Sequence, residues 1–429
     1  MRVLVASQAE KTHVLGMVPL AWALRAAGHE VRVASQPSLA PTITRAGLPA
    51  VAVGRDHLFN QMLSTSKSTG FAETEGFDMT RSDPEALGWD YLLEGYREFV
   101  RFWWNPVNAS MADDLTDFCR WWRPDLVLWE PTTFCAPVAA RASGAAHARV
   151  LWGMDVFARV RRRFLERRAE NPGERREDPL AEWMERLARR AGTDFAEELV
   201  SGQATLDPYP EGVRLPPEEG VGHIPVRYVP YNGTAVVPDW LRAPAERGRV
   251  CLTLGSAAPE RFDDRRRLPL PELLESVAAL DAEVVATLSP GQRDGLGTLP
   301  PNVRVVEYVP LHALLPHCSA VVHHGGAGTF CTAVFHGVPQ LVLPGFSMAQ
   351  YLFDESLLAE RVTETGAGLT LAGDRMTAGE IARRTGRLLD EPGFAEGARR
   401  VRDRARAMTS PAGLVPVLEQ LVEEVRGAP

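Results

Sequence analysis

Short apolar runs alternate with amphipathic stretches twice along this chain, and that alternation restricts the fold more than any other feature. Arg2-Val3-Leu4-Val5-Ala6-Ser7 opens the first series. An amphipathic stretch over residues 17–27 follows and stops at Gly28, as a helix end should. Val31-Arg32-Val33-Ala34 is the next apolar run, residues 39–46 read as a helix, and residues 50–53 as a third strand. Such a βαβαβ unit implies a parallel sheet with right-handed crossovers. Leu126-Val127-Leu128-Trp129 and Ala148-Arg149-Val150-Leu151 continue the series, with a helix over 134–142 between them. The second series starts at Val250-Cys251-Leu252-Thr253-Leu254 and adds strands at 283–287, 303–306, 320–323 and 340–343. The expectation is an α/β protein of two Rossmann-like domains whose parallel sheets face each other across a cleft. In open parallel sheets ligands bind beyond the carboxyl ends of the strands. Residues just after each strand are therefore the candidates for chemistry.

At 429 residues the chain is too long for one core and suits two domains. Residues 216–240 carry Pro216, Pro217, Gly220, Gly222, Pro225, Pro230, Gly233 and Pro238, a linker composition. The expected division is an N-terminal domain over 1–215, a linker over 216–240 and a C-terminal domain over 241–408. A last helix over 409–429 is expected to pack back toward the N-terminal domain. Residues 56–83 are polar and lack periodicity, an extended loop. Residues 159–190 are dense in Arg and Glu, the pattern of solvated helices laced with i,i+4 pairs.

A net charge of −8 argues against a nucleic-acid binder, which needs a basic surface. Five cysteines (Cys119, Cys135, Cys251, Cys318, Cys331) sit in apolar contexts without metal-ligand spacing, as buried thiols of a reducing compartment would. No uncharged apolar run approaches the ~20 residues of a membrane span. The N-terminus runs straight into a strand without the layout of a signal peptide. A cytoplasmic enzyme is the expectation.

The most informative local pattern is Ala320-Val321-Val322-His323-His324-Gly325-Gly326-Ala327-Gly328-Thr329, then a helical stretch to His336 and Gly337-Val338-Pro339. An apolar strand ends, small residues turn the chain, and a helix begins. Glycines let backbone approach a bulky anion, while the helix N-terminus offers N–H donors and partial positive charge. A glycine-rich strand-to-helix turn that binds nothing is the plain alternative.

The surrounding block makes the difference. Tyr308-Val309-Pro310, Leu314-Leu315, the 323–329 turn, Gly337-Val338-Pro339-Gln340, Pro344 and Gly366-Ala367-Gly368 together resemble the C-terminal signature of the inverting family 1 nucleotide-sugar glycosyltransferases, which have the GT-B fold. The resemblance implies that Val309 and its neighbours border the nucleobase. It implies that His323 contacts the diphosphate and that Gly325, Gly326, Ala327, Gly328 and Thr329 cradle it. Ser256 matches a second phosphate-side position. Where the family has Asp-Gln binding sugar hydroxyls, this chain has Ala349-Gln350, with Asp354 nearby as a partial substitute. A site missing one hydroxyl partner suits a sugar with fewer hydroxyls, so the expected donor is a dTDP-deoxysugar. That sugar nucleotide is a substrate; no cofactor and no metal is expected.

On the acceptor side, Thr12-His13-Val14-Leu15-Gly16 follows the first strand, and a neutral His suits the removal of an acceptor hydroxyl proton. A loop histidine is by itself unremarkable, but the H-x-x-G pattern is where the resembling family places its base. In many such relatives an acid orients that histidine, and here Leu128-Trp129-Glu130-Pro131 offers Glu130, either as orienter or in direct contact with the acceptor.

Pro19-Leu20-Ala21-Trp22-Ala23, Phe118-Cys119-Arg120-Trp121-Trp122-Arg123-Pro124-Asp125-Leu126 and Arg176-Glu177-Asp178-Pro179-Leu180-Ala181-Glu182-Trp183 resemble a narrower group. These are the actinobacterial transferases that attach dTDP-aminodeoxysugars to polyketides, of the erythromycin desosaminyltransferase and anthracycline aminosugar transferase types. The resemblance implies a polyketide aglycone (macrolide or anthracycline) as acceptor. It also implies a cytochrome-P450-like helper protein, for which residues 159–190 are the candidate docking surface; a homodimer is a further expectation. Trp103, Trp104, Trp129 and Trp152 suit an aromatic acceptor region. Two other classes stay open: a resistance enzyme that glucosylates an antibiotic from UDP-glucose, which Ala349 disfavours, and a catalytically silent partner protein, which the retained His13 disfavours.

Overall fold

The computed structural model describes residues 1–57, 77–81, 83, 86–171, 176–243, 245–254, 269–294, 296–344 and 354–427. Its strands are β1 (Arg2–Ala6), β2 (Glu30–Ser35), β3 (Ala50–Ala52), β4 (Leu126–Trp129), β5 (Ala146–Val150), β6 (Ala204–Asp207), β7 (His223–Pro225), β8 (Gly248–Thr253), β9 (Ala282–Thr287), β10 (Val303–Val306), β11 (Ala320–His323), β12 (Gln340–Val342) and β13 (Gly368–Thr370). They form two all-parallel sheets, ordered β3-β2-β1-β4-β5-β6-β7 and β10-β9-β8-β11-β12-β13. Both are doubly wound, because the order reverses beside the first strand of each series. β4, β1 after Arg2 and β11 up to His323 are apolar runs buried on both faces, as parallel strands covered by helices must be.

The chain divides into two compact units. The first comprises Met1–Pro208, Leu215–Val226 and Thr409–Pro429; the second comprises Tyr209–Arg214 and Arg227–Met408. The segment read as a linker is thus partly structured. Its residues His223–Pro225 pair with β6 as the edge strand of the first sheet, where a proline is tolerated. The helix Pro411–Gly427 packs on the first helix, Lys11–Ala26, burying Leu414, Leu418 and Val422.

The first helix begins six residues before the amphipathic stretch that marks it in the sequence, because Gly16 interrupts the pattern without breaking the helix; Pro19 lies within the helix. The Arg/Glu-rich segment forms the helices Val156–Glu170 and Pro179–Arg190. Many of its charges are spent internally. Arg162 and Arg163 meet Glu166, Arg167 meets Glu170, Arg189 meets Glu185, and buried Arg161 forks onto Asp178 at 2.8 Å. No helix of the described residues is long and apolar enough to cross a membrane.

Candidate active site

In the first unit, chemistry gathers beyond the carboxyl ends of β1, β4 and β5. β4 pairs with both neighbours, placing Ala6 against Trp129 and Trp129 against Arg149. The residues just past these strands are consequently neighbours, which brings residues 8–13, 130–133 and 152 together.

His13 lies in the first turn of the helix Lys11–Ala26, not in the preceding loop, and is buried. Its Nδ1 stands 3.2 Å from Glu130 Oε2. The Glu130 side chain is fully buried. It accepts from the Thr132 amide at 3.0 Å, the Thr132 hydroxyl at 2.8 Å, the Thr133 hydroxyl and the Trp152 indole N–H at 2.9 Å. Burial alone would raise this carboxyl, but His13 and the two threonine hydroxyls outweigh it and hold the group down at about 2. Glu130 is a carboxylate at any working pH.

The hydroxyl relay is itself braced. Gln8 donates from its amide to Thr133 Oγ1 at 2.7 Å and from Nε2 to Thr132 Oγ1 at 2.9 Å. Buried Asn108 donates to the Thr132 carbonyl at 2.9 Å and accepts from the Cys135 amide at 3.0 Å. The two threonine hydroxyls that donate to Glu130 are thus each held by a donor from Gln8.

The tryptophans separate into two groups. Trp103, Trp104 and Trp129, expected to line an acceptor region, are buried core residues instead. Trp104 packs against Tyr96, Phe99 and Phe134 in edge-to-face contacts of 5.1–5.9 Å. Large aromatic area is simply worth more inside a core than on a surface. Trp152 alone of the four is partly exposed.

In the second unit the glycine turn joins β11 to the helix Ala327–His336. Gly325 has φ of +106°, and a Cβ there would come 2.9 Å from Glu355 Cβ, so only glycine fits. Gly326 is the N-cap and has no side chain to cap the helix. The first amides, those of Ala327 and Gly328, have no acceptor within a helix, whereas Thr329 donates back to the Gly326 carbonyl at 3.0 Å. Uncapped amides and the helix dipole together favour an anion here.

His323, expected to reach a diphosphate, is the last residue of β11 and fully buried. Its Nδ1 accepts from the Gly325 amide at 3.1 Å and its Nε2 meets Gln340 Oε1 at 2.9 Å. Burial and the neighbouring His324 push it down to about 3, so it is neutral. Both nitrogens are used in bracing the turn. His324 differs: its ring lies against Gly326, and its Nδ1 is buried with no hydrogen-bond partner among the described residues. Burial lowers this ring to about 4. The end of β11 makes the distinction: Ala-Val-Val-His is buried throughout, and the next residue is the first to leave the sheet.

Val309, expected beside a nucleobase, is buried in a core cluster with Leu241, Leu314, Leu315 and Val321. Its neighbour Tyr308 is the exposed one, with its hydroxyl donating to the Asn232 carbonyl at 2.5 Å. Asp354 is buried at the start of the helix Glu355–Glu364. Ser256, Ala349 and Gln350 lie outside the described residues. Among the described residues no three His, Cys, Asp or Glu side chains gather as metal ligands.

Comparison with known proteins agrees with this architecture. Residues 22–255 match the family model described as erythromycin biosynthesis protein CIII-like, N-terminal domain, and residues 271–421 match the corresponding C-terminal domain. The chain is 47% identical over 431 residues to the 10-deoxymethynolide desosaminyltransferase of Streptomyces venezuelae, covering 100% of this chain and 99% of the relative. It is 46% identical to the TDP-daunosamine transferase DnrS of Streptomyces peucetius, covering 99% and 98%. Among solved structures, the glycosyltransferase VinC in complex with dTDP superposes with a TM-score of 0.88 at 39% identity, over 99% of this chain and 100% of VinC. The two parallel-sheet domains are those of the GT-B fold. The chain belongs to the erythromycin biosynthesis protein CIII-like family and is a glycosyltransferase.

Proposed function

We propose that this enzyme catalyses the inverting transfer of a deoxysugar, specifically an aminodeoxysugar, from a dTDP-sugar to a hydroxyl of a macrolide or anthracycline aglycone in antibiotic biosynthesis. The observation that carries the reading is the 3.2 Å contact between His13 Nδ1 and the buried, ionised Glu130. A base so oriented presents its other nitrogen, Nε2, to an acceptor hydroxyl. The acceptor O–H proton passes to Nε2 as its oxygen bonds to the anomeric carbon. The bond from that carbon to the diphosphate oxygen breaks, and dTDP leaves with the electron pair. Glu130 stabilises the imidazolium that forms.

In this reading the first unit binds the acceptor and the second the donor. The leaving diphosphate rests on the amides of Ala327 and Gly328 and receives an N–H from neutral His324, while His323 holds the turn from behind; by resemblance to the family, Ser256 is a second phosphate-side residue. Gln350 and the exposed Tyr308 serve the sugar and the base. Donors aimed at developing charge lower the barrier most, and a helix N-terminus serves that role without a metal. The aminodeoxysugar assignment is supported by Ala349 in place of an acid. It is also supported by the names of the relatives, which specify desosamine and TDP-daunosamine, and by dTDP in the VinC complex. A cytoplasmic setting, a homodimer and a cytochrome-P450-like helper docking on the helices Val156–Glu170 and Pro179–Arg190 complete the proposal.

The test is a donor panel with a macrolide and an anthracycline aglycone, with and without a helper, read by product mass. Transfer from a dTDP-aminodeoxysugar, unchanged by a chelator, is the expected result. Preferential glucosylation from UDP-glucose would sink the biosynthetic reading, and His13→Ala with full turnover would sink the base.

A further inference from the structure

We infer that Trp152 is a positioning residue for the His13 base and not part of the aglycone surface. The inference rests on His13 acting as the base. The indole lies in the loop after β5 and stacks on the His13 imidazole, with ring centroids 4.4 Å apart and planes inclined by 15°. The same indole donates its only polar hydrogen to Glu130 Oε2 at 2.9 Å, the oxygen that faces His13 Nδ1. One side chain therefore contacts both members of the pair.

Trp152 is itself fixed. The Phe157 ring meets it edge-on at 6.0 Å and 76°. The loop that carries it is tied by Asp155, which accepts from the Ala158 amide at 3.0 Å to cap the helix Val156–Glu170 and pairs with buried Arg149 at 2.5 Å. An indole with one face against imidazole and its N–H engaged has little left to offer a ligand. It has much to offer the base. The stack fixes ring rotation, so that Nε2 points in one direction. The indole N–H orders the carboxylate, and a tryptophan face attracts the imidazolium created when the acceptor proton arrives. All three effects act on the rate of the chemical step rather than on aglycone affinity.

Trp152→Phe keeps a ring face and loses the N–H; Trp152→Ala loses both. With the intact enzyme, Trp152→Ala is expected to lower kcat by about 100-fold, the scale of a misplaced catalytic group, while the aglycone KM moves by less than about threefold. Trp152→Phe is expected to recover about tenfold of that loss, with dTDP affinity unchanged in both variants. A rise in aglycone KM with kcat preserved would make Trp152 an aglycone platform and overturn the inference. So would Trp152→Ala turning over at the wild-type rate while His13→Ala is inactive. His13→Ala at full turnover would instead remove the base assignment on which both readings stand. Thermal melting of Trp152→Phe separates a positioning defect from misfolding, because the phenyl ring preserves most of the packing.

Discussion

His13 Nδ1 and Glu130 Oε2 stand 3.2 Å apart, and the carboxylate is closed off from solvent. Replacing Glu130 by Gln preserves shape but removes the charge that would balance an imidazolium and turns one acceptor oxygen into a donor. Glu130→Gln is expected to lower kcat by about 10⁴-fold, as neutralising the orienting acid of a base–acid pair does. Steady-state kinetics with saturating donor will read the change, and aglycone KM should hold.

The same carboxylate makes stability depend on acid. Its folded-state value is about 2 against an ordinary 4.5, so the native state favours the ionised form. The stabilisation is present above 4.5 and is lost as pH falls from there toward 2. Urea titrations stepped through that window should show wild type losing stability more steeply than Glu130→Gln, which has no proton to take up at that position.

Much of this was legible in the sequence, for identifiable reasons. β4 is apolar throughout and β11 apolar up to His323 because helices cover both their faces, and such runs announce themselves. β6, whose four residues include Thr205 and Asp207, β13, which is three residues long, and β7, set in a Pro/Gly-rich stretch, carry no comparable signal; pairing with neighbours makes them strands. The pairing of His13 with Glu130 is one the family resemblance implies, each residue following a strand, with direct contact to the acceptor as the alternative for Glu130. The roles of Thr132, Thr133 and Trp152 were not legible there, because they depend on which strand ends are adjacent. The β4–β5 pairing sets Trp129 beside Arg149 and so brings residue 152 to the site. The histidine doublet also needed structure: only the end of β11 decides which ring stays in the sheet.

Two adjacent glycines of the donor turn should respond differently to alanine. Gly325 has positive φ, and its Cβ would strike Glu355 Cβ, so Gly325→Ala is expected to cost about 1–3 kcal/mol of stability and to weaken dTDP binding. Gly326 has an ordinary φ of −59°, and its Cβ would meet only the His324 ring, at 2.9 Å from Cε1. Gly326→Ala should therefore melt within about 1 kcal/mol of wild type yet lose dTDP affinity by displacing that ring. Thermal melts and calorimetric titration with dTDP distinguish the two. Equal behaviour would mean that the turn does not hold the diphosphate as proposed.

The two histidines should part in the same way. His323 has both nitrogens engaged, with the Gly325 amide and with Gln340. His323→Ala leaves a buried amide and a buried carbonyl oxygen without partners, at about 1–3 kcal/mol for each unsatisfied group, and opens a cavity behind the turn. Stability is expected to fall sharply, and activity with it. His324 makes no comparable brace, so His324→Ala should melt near wild type. If His324 donates to the leaving diphosphate, its loss should lower kcat by about 10²-fold or more, the effect of removing one transition-state donor. The readout is the pairing of melting temperature with kcat for both variants. A stable, active His324→Ala beside a stable, inactive His323→Ala would return the phosphate contact to His323.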